Sequence, residues 1–339
     1  MNTSVSLPHG YTVTNASPAD VEDIVELLNH SFSRILKRLY GGAPDVGEGD
    51  RIRGRLTRRD CHCFVLKNHE EAVVGVGFIQ IYGNKVVLGP VAVRAATPGK
   101  VALLTVGYAY LRELGMEHIE FVTFPHSTLH FQAYWAAGQA LDVGLDAVAP
   151  TLFLTRPLRA SAARPEHKGA GDPGEPLTWL SQSTLDVREA QLEAISGLNR
   201  TSPAGIENDD ELRQLLAGQH GDILLYGPSA EPLGYAVCMS GPGSEAFETQ
   251  QLLVKHLVVD APSIAEKTRH LGAMTAAIEG MARRRRLQTI GMMVNALHRN
   301  MLNTLFASGF RVSSIFQLWT TRAVVYTDMA EIFRAEELR

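Results

Sequence analysis

The alternation of apolar and polar positions repeats in the two halves of the chain. Tyr11–Thr14 alternates as a short strand does, and the apolar residues of Val21–Phe32 then recur at the spacing of a helix. In the second half Leu177–Leu180 is a similar short strand. The segment Ser183–Val187 then repeats the Ser-x-x-Asp opening of Ser17–Asp20, which is typical of a helix start. The two halves therefore open with the same strand and helix.

A second correspondence follows in each half. Phe64–Leu66 leads through a polar turn to Val74–Ile79, and Ile223–Leu225 leads through GPSAEP to Leu233–Val237. Both stretches predict a β-hairpin whose second strand contains a glycine. We then expect in each half another strand, a helix, a strand, a last helix and a final strand. Taken together, these matches indicate an internal repeat.

The stretch 156–176 separates the two halves. It is rich in Pro, Gly, Ala and charged residues and lacks apolar periodicity, so it predicts a mobile linker. The chain is therefore expected to form an N-terminal domain over 1–155 and a C-terminal domain over 177–339. Each domain is of the mixed α/β (α+β) class, a twisted mixed sheet flanked by helices.

Composition excludes several classes of function. The 339 residues are 45% hydrophobic and 20% charged, with a formal net charge of −4. Such a composition is typical of a soluble globular protein and gives no bulk electrostatic case for nucleic acid. The sequence contains no apolar run long enough for a membrane helix and no signal peptide, and its three cysteines suit the cytoplasm. A small-molecule enzyme or a protein-interaction module remains.

The order of elements, with the motifs that accompany it, resembles the GNAT superfamily of acyl-CoA N-acyltransferases, present twice. In the second copy the strand QLLVKHLVVD is followed by Arg269-His270-Leu271-Gly272-Ala273-Met274. This segment resembles the Arg/Gln-x-x-Gly-x-Gly/Ala coenzyme A signature of the family, with Met274 as a departure. A loop there, opening a helix at Thr275, would offer backbone N–H groups to a pyrophosphate. The resemblance also places Asn300 near the cofactor and the backbone of Leu257, Val258 and Val259 along its pantetheine arm.

The first copy resembles the family in other places. Val91 and Val93 lie in the strand that splays to admit the pantetheine arm, and Gly99 with Lys100 is what remains of the phosphate loop. Tyr134 stands at the position of the family's general acid, although an aromatic side chain packed on an apolar helix face is an equal alternative. The better phosphate loop and the better acid thus lie in different copies, and we assign cofactor binding to the second.

A general base is harder to identify. His256 lies in the central strand of the second copy, where members of the family often have a base, although a hydrogen-bonded structural role is the alternative. Glu120, His126 and His130 are weaker candidates. Cys61-His62-Cys63 lacks a second Cys/His pair at zinc spacing, so no metal is expected.

The resemblance implies transfer of an acetyl group from acetyl-CoA, or another short acyl-CoA, to the amine of a small metabolite by direct attack in a ternary complex. No nucleic acid or membrane partner is expected, and the protein is expected to be a monomer or a homodimer. Two alternatives remain. One is a decarboxylase or thioesterase on the same fold, and the other is a non-catalytic acyl-CoA-binding or regulatory protein.

Overall fold

The computed structural model describes residues 7, 9–40, 49–83, 85–94, 99–116, 118–123, 128–148, 150–158, 175–200, 207–218, 220–241, 250–321 and 332–336. For 34–40, 128–130 and 332–336 it describes the backbone alone.

The first half alternates strands and helices. Its elements are β1 (Thr12–Asn15), α1 (Val21–Tyr40), α2 (Gly49–Thr57), β2 (Cys61–Lys67), β3 (Val73–Tyr82), β4 (Lys85–Val93), α3 (Gly99–Glu113), β5 (His118–Thr123), α4 (Thr128–Gln139), β6 (Asp146–Ala147) and β7 (Thr151–Pro157).

The second half repeats this order of strands and helices. Its elements are β8 (Leu177–Trp179), α5 (Leu185–Arg200), α6 (Asp209–Gly218), β9 (Gly221–Tyr226), β10 (Gly234–Met239), β11 (Gln251–Asp260), α7 (Ile264–Arg284), β12 (Thr289–Asn295), α8 (Arg299–Ala307), β13 (Arg311–Thr320) and β14 (Ile332–Glu336).

The repeated order of elements that the sequence predicts is confirmed, except that the prediction lacks the helices α2 and α6 and the strands β6 and β14. Both helices are short and rich in charge, and each buries only one or two apolar side chains. These are Ile52 in α2 and Leu212 and Leu215 in α6. So few apolar positions produce little helical periodicity in the sequence.

The two halves exchange one strand each in one continuous sheet, β7 from the first half and β13 from the second. The strand order is β1-β2-β3-β4-β5-β13-β7-β12-β11-β10-β9-β8. Strand β13 of the second half pairs antiparallel with β5 of the first, and β7 of the first half pairs antiparallel with β12 of the second. The exchanged strands also pair with each other. Each half therefore completes the sheet of the other.

Because of the strand exchange, the first residues of the predicted linker belong to strand β7. Strand β7 continues to Pro157, with Arg156 opposite Ile290 of β12, and the Arg156 Nη2 lies 2.7 Å from Glu279 Oε2. The prediction that the linker begins at Arg156 is therefore wrong, because Arg156 and Pro157 belong to a ladder that joins the halves. Residues 159–174 lie outside the described part of the chain, and the division into domains stays a prediction.

Helices cover both faces of the sheet in each half. In the first half, α1 packs its apolar side chains against one face, and α3 with α4 packs against the other. The second half buries two corresponding clusters. Representative core residues on the four faces are Ile24 and Phe78, Leu103 and Phe121, Ile195 and Leu212, and Met274 and Ile278.

A bulge in the central strand of each half opens a cleft. In β4, Gly89 and Pro90 both lie opposite the single residue Phe78 of β3, and in β11 the residue Lys255 is the extra one. Beyond these bulges the parallel pairing stops. In the described chain β4 pairs with β5 only over 85–87, and β11 pairs with β12 only over 251–254. We call the gap between β4 and β5 the first cleft and the gap between β11 and β12 the second cleft.

Candidate functional site

Tyr134 lies at the point where the first cleft opens. Its hydroxyl donates a hydrogen bond to the carbonyl oxygen of Leu88, 3.2 Å away, in the residue that precedes the bulge of β4. Its ring stacks on Phe121 of β5, with the centroids 3.8 Å apart. Burial raises the pKa of Tyr134 well above that of a free tyrosine, so the hydroxyl keeps its proton at neutral pH. Tyr134 therefore combines the packed position of a core aromatic residue with a protonated donor at the cleft.

A second tyrosine lies close by and was missed in the sequence. Tyr108 of α3 is fully buried, and its hydroxyl oxygen has no hydrogen-bond partner in the described part of the chain. Burial, and to a smaller extent the nearby Tyr134, raises the pKa of Tyr108. Helix α3 runs close to β4 here, since a Cβ added at Gly107 would lie 3.3 Å from Leu88 Cδ1. No motif marked Tyr108, because its position depends on how α3 packs across the sheet.

The outer part of β4 carries the two predicted pantetheine-contacting residues of the first half. Val91 and Val93 lie opposite Gly77 and Gly75 of β3, and beyond Val87 the other edge of β4 pairs with no strand in the described residues. Backbone polar groups along such an edge can bind an extended ligand as a neighbouring strand would. The structure thus brings Val91, Val93 and Tyr134 to one cleft.

Gly99 and Lys100 are the first two residues of α3, whereas the sequence placed them in the phosphate loop that precedes the helix. A Cβ at Gly99 would lie 2.0 Å from Leu66 Cδ2, so packing by itself accounts for the glycine. Lys100 is half-buried, burial lowers its pKa, and it makes no hydrogen bond or ion pair within the described residues. A cation at a helix N-terminus and removed from water is a suitable partner for a phosphate group. Residues 95–98, which precede it, lie outside the description.

The loop predicted at Arg269–Met274 does not exist, because this segment lies inside the continuous helix α7. The helix begins five residues earlier, at Ile264. Its cap is Ser263, whose Oγ accepts a hydrogen bond from the backbone N–H of Glu266 at 3.2 Å and donates to the Glu266 side chain at 2.7 Å. The Ser-x-x-Glu capping box is visible in the sequence and indicates the correct start. The backbone N–H groups of 269–274 are therefore used within the helix.

The side chains of this segment behave as those of a packed helix. Leu271 and Met274 are fully buried in the core, and His270 packs on Tyr226 with ring centroids 4.8 Å apart. A Cβ added at Gly272 would meet no atom of the described residues within 4 Å beyond the backbone of its own helix, so packing does not require a glycine here. Of the others, Ala273 is half-buried, Arg269 is exposed, and Thr275 donates to the carbonyl oxygen of Leu271.

The second cleft is occupied by the end of the chain itself. Strand β14 pairs antiparallel with the outer part of β11, with Leu257, Val258 and Val259 opposite Ala335, Arg334 and Phe333. Strand β10 takes the other edge of the same residues, so β14 lies on the side of β12, which it also contacts. The backbone groups predicted to meet a pantetheine arm are thus paired with β14. Asn300, in the first turn of α8, is half-buried.

His256 belongs to a buried ionic cluster that joins the two halves. Its Nε2 lies 3.3 Å from Oε2 of Glu211, the carboxylate that also forms an ion pair with Lys255. Arg58 of the first half places Nη1 3.7 Å from Glu211 Oε1. Burial opposes ionisation of Glu211, but the charge of Lys255 and the hydrogen bond from His256 hold its pKa well below the usual range. We call these four residues the ionic cluster. The contact with Glu211 supports the structural role that the sequence analysis gave as the alternative for His256.

The weaker base candidates are not brought to the first cleft as a group. Glu120 is completely buried, with its Oε2 3.0 Å from Lys85 Nζ and its Oε1 2.9 Å from His118 Nε2. His126 lies outside the described residues, and only the backbone of His130 is described. The general base thus stays unassigned.

Among the described residues no group of three or more His, Cys, Asp or Glu side chains is placed to hold a metal ion. No helix in the described part of the chain has both the length and the apolar character needed to cross a membrane.

No protein-family model matches the chain, and no curated protein matches it either. Solved structures do match the chain. A candidate acetyltransferase from Pyrococcus horikoshii superposes with a TM-score of 0.62 at 12% identity, covering 98% of this chain and 95% of that one.

Two other solved chains match with a TM-score of 0.57 at 13% identity. One is a GCN5-related N-acetyltransferase from Sphaerobacter thermophilus, with 94% of this chain and 98% of that chain covered. The other is a tandem GNAT protein from the clavulanic acid biosynthesis pathway, with 93% and 99% covered. At such low identity the likeness shows the fold.

Proposed function

Since the chain carries the fold of the GCN5-related N-acetyltransferases in two tandem copies, we propose that it is an acyl-CoA-dependent N-acyltransferase with its productive site in the first cleft. The donor is acetyl-CoA or another short acyl-CoA, and the acceptor is the amine of a small metabolite. The observation that carries this proposal is the contrast between the clefts. Among the described residues, the edge of β4 beside Tyr134 in the first cleft has no partner strand, whereas the second cleft is filled by β14.

The residues of the first cleft fit the parts of an acyl-CoA. Lys100 at the start of α3 offers a positive charge to the phosphates, and the free edge of β4 around Val91 and Val93 offers backbone partners to the extended arm. This proposal moves the cofactor from the second half, where the sequence motif suggested it, to the first. In the second half the backbone groups of 269–274 bond within helix α7, and those of 257–259 pair with β14.

For this reaction the chain must position the two substrates and supply one proton. The amine nitrogen forms a bond to the acyl carbon, and the carbon–sulfur bond breaks with its electron pair going to sulfur. Tyr134 gives its proton to the thiolate, and the proton shed by the amine restores the phenol through water. Because burial raises the pKa of Tyr134, the phenolate is unfavourable and is reprotonated readily.

Calorimetric titration with acetyl-CoA tests the assignment of the cleft. We expect one site per chain, and we expect Lys100→Glu to weaken binding at least ~10-fold because it reverses a charge beside the phosphates. Arg269→Glu is the matched control, since it reverses a charge at the exposed position that the sequence motif indicated. If Arg269→Glu abolishes binding and Lys100→Glu does not, the cofactor lies in the second half.

Release of free thiol in the presence of candidate amines tests the reaction. We expect release that depends on both acetyl-CoA and an amine. Thiol release that proceeds without any amine would instead indicate a thioesterase on this fold. Tight binding of acetyl-CoA with no release across a broad amine panel would favour a binding or regulatory protein.

A further inference from the structure

The hydroxyl of Tyr108 is buried without a hydrogen-bond partner in the described part of the chain. Tyr108 lies on α3 and is 0% exposed, so the core of the first half encloses the whole side chain. A buried hydroxyl that loses water and gains no partner lowers stability, whereas phenylalanine would fill the same space without this cost. An unpaired buried group of this kind requires an explanation, and a role during catalysis is one such explanation.

Tyr108 and Tyr134 belong to the same buried cluster, which also contains Leu88 of β4. Helix α3 approaches Leu88 at Gly107, where an added Cβ would lie 3.3 Å from Leu88 Cδ1. Helix α4 approaches the same residue through the Tyr134 hydroxyl, 3.2 Å from the Leu88 carbonyl oxygen. Burial, and then charge on Tyr134, raises the pKa of Tyr108, so the two phenols lie within electrostatic reach of each other. The two helices thus bring both tyrosines to the place where the first cleft opens.

Tyr134 needs a hydrogen-bond donor at the moment when it gives up its proton. In the resting chain its hydroxyl donates to the Leu88 carbonyl oxygen, and that bond ends when the proton leaves, because a carbonyl oxygen can only accept. The Phe121 ring that stacks on Tyr134 carries no N–H or O–H group. Burial disfavours charge at this position, since it raises the pKa of Tyr134. A phenolate formed here is therefore stabilised by a nearby hydroxyl that can donate to it.

Tyr108 has the properties of such a donor. Its phenol carries one O–H group, and the raised pKa keeps this group protonated while Tyr134 is charged. Because the hydroxyl makes no other hydrogen bond with the described residues, donation to Tyr134 breaks none. A hydrogen bond to a charged oxygen is stronger than one between neutral groups, and the exclusion of water strengthens it further.

We propose that Tyr108 is a positioning residue that acts through Tyr134: its hydroxyl donates a hydrogen bond to the Tyr134 oxygen once Tyr134 has given its proton to the departing thiolate. This inference rests on the proposed function of the first cleft. The O–H bond of Tyr134 breaks with its electron pair staying on oxygen, and an S–H bond forms. Tyr108 keeps its own proton throughout. The proton shed by the amine then restores the Tyr134 phenol and ends the contact.

Ionisation at position 134 tests this contact without any acceptor amine. Tetrafluorotyrosine in place of Tyr134 ionises at a lower pH than tyrosine does, and fluorine NMR of the full chain follows its titration. We expect Tyr108→Phe to lower the acid dissociation constant of this phenol at least ~10-fold, because the phenolate loses a hydrogen bond. Tyr110→Phe on the same helix is the matched control and should leave the constant within about twofold, since that hydroxyl contacts His62 at 3.3 Å. Equal titration curves with and without the Tyr108 hydroxyl would overturn the proposal.

A double-mutant cycle in the acyl-transfer assay tests the role of Tyr108 in the reaction. With acetyl-CoA and the amine that gives the fastest thiol release, Tyr108→Phe should lower kcat ~10–100-fold, keep acetyl-CoA affinity within about twofold and leave Tm equal or higher. In the Tyr134→Phe protein the further change Tyr108→Phe should not alter kcat, because the oxygen that receives the hydrogen bond is absent. An equal loss of kcat in that background, or a lower Tm, would overturn the proposal. If the wild-type chain transfers no acyl group, the proposed function fails, and the fluorine titration still decides whether Tyr108 contacts Tyr134.

Discussion

The Tyr134 hydroxyl donates to the Leu88 carbonyl oxygen across 3.2 Å, and this bond joins helix α4 to the strand at the mouth of the first cleft. Leu88 is the last residue of β4 before the bulge, and the parallel pairing with β5 has ended one residue earlier. The hydroxyl therefore meets β4 at the residue where the pairing of this strand with β5 has just ended.

Tyr134→Phe tests the hydroxyl as a proton donor. The substitution keeps the ring stacked on Phe121 and removes one oxygen, so we expect acetyl-CoA affinity to stay within about twofold while kcat falls by ~10²–10⁴. Steady-state kinetics and calorimetry on the same preparation measure both quantities. Tyr110→Phe is the control, since this hydroxyl lies in the same half but contacts His62 at 3.3 Å. An equal loss of kcat in both variants would remove Tyr134 from the mechanism.

Gly272→Ala tests the helical position of the predicted phosphate loop. A Cβ there meets open space, and alanine is favoured over glycine inside a helix, so the free energy of unfolding should rise by up to ~1 kcal/mol. Acetyl-CoA affinity should not change. Gly280→Ala in the same helix should behave alike, since its Cβ would lie 3.5 Å from the end of the Arg284 side chain. Loss of acetyl-CoA binding in Gly272→Ala only would restore the motif to a cofactor role.

Removal of residues 332–339 tests the strand that fills the second cleft. Without β14 the outer edge of β11 at Leu257–Val259 loses its backbone partners, and we expect the free energy of unfolding to fall by on the order of 2 kcal/mol. Removal of 337–339 by itself is the control and should have little effect, because all the described pairing with β11 lies within 332–336. Urea unfolding measures the difference. The number of acetyl-CoA sites should stay at one, since α7 still lacks a phosphate loop, and a second site would show that β14 competes with the cofactor.

Glu211→Gln tests the ionic cluster between the halves. The change leaves Lys255 and His256 buried without their carboxylate, which costs about 3–5 kcal/mol in comparable sites. Glu189→Gln is the control, because Glu189 is exposed and pairs with Arg213 at 3.4 Å on the surface. That variant should change the free energy of unfolding by less than ~0.5 kcal/mol.

The same carboxylate determines part of the response to acid. The pKa of Glu211 is lowered in the folded state, so its contribution to stability is complete above the unfolded value of 4.5 and is lost as the pH falls below that value. The Tm of the wild-type chain should therefore fall steeply as the pH is lowered below about 4.5. Glu211→Gln should show a shallower dependence over that range. Parallel curves for the two proteins would mean that other groups carry the acid response.

The sequence determined the elements and their repetition, because the periodicity of apolar residues is a local property of each segment. The resemblance to the family indicated Tyr134, Lys100 and Gly99 in the first copy and the splayed strand that carries Val91 and Val93. The motif at Arg269–Met274 misplaces the start of α7, because a glycine-containing pattern of this kind also fits the inside of a helix, whereas the capping box at Ser263 and Glu266 marks the true start. The sequence pattern did not predict the helices α2 and α6, because they bury few apolar side chains.

The tertiary structure decided which copy keeps an open cleft. The pairing of β14 with β11 and the exchange of β7 and β13 join residues far apart in the chain, and hydrogen bonds between backbones leave little trace in side-chain pattern. The contacts of Glu211 with Arg58 and His256, and the approach of Tyr108 to Tyr134, arise in the same way. Local propensity sets which segments become strands and helices. Which edges pair and which side chains meet depends on the packing of the whole chain.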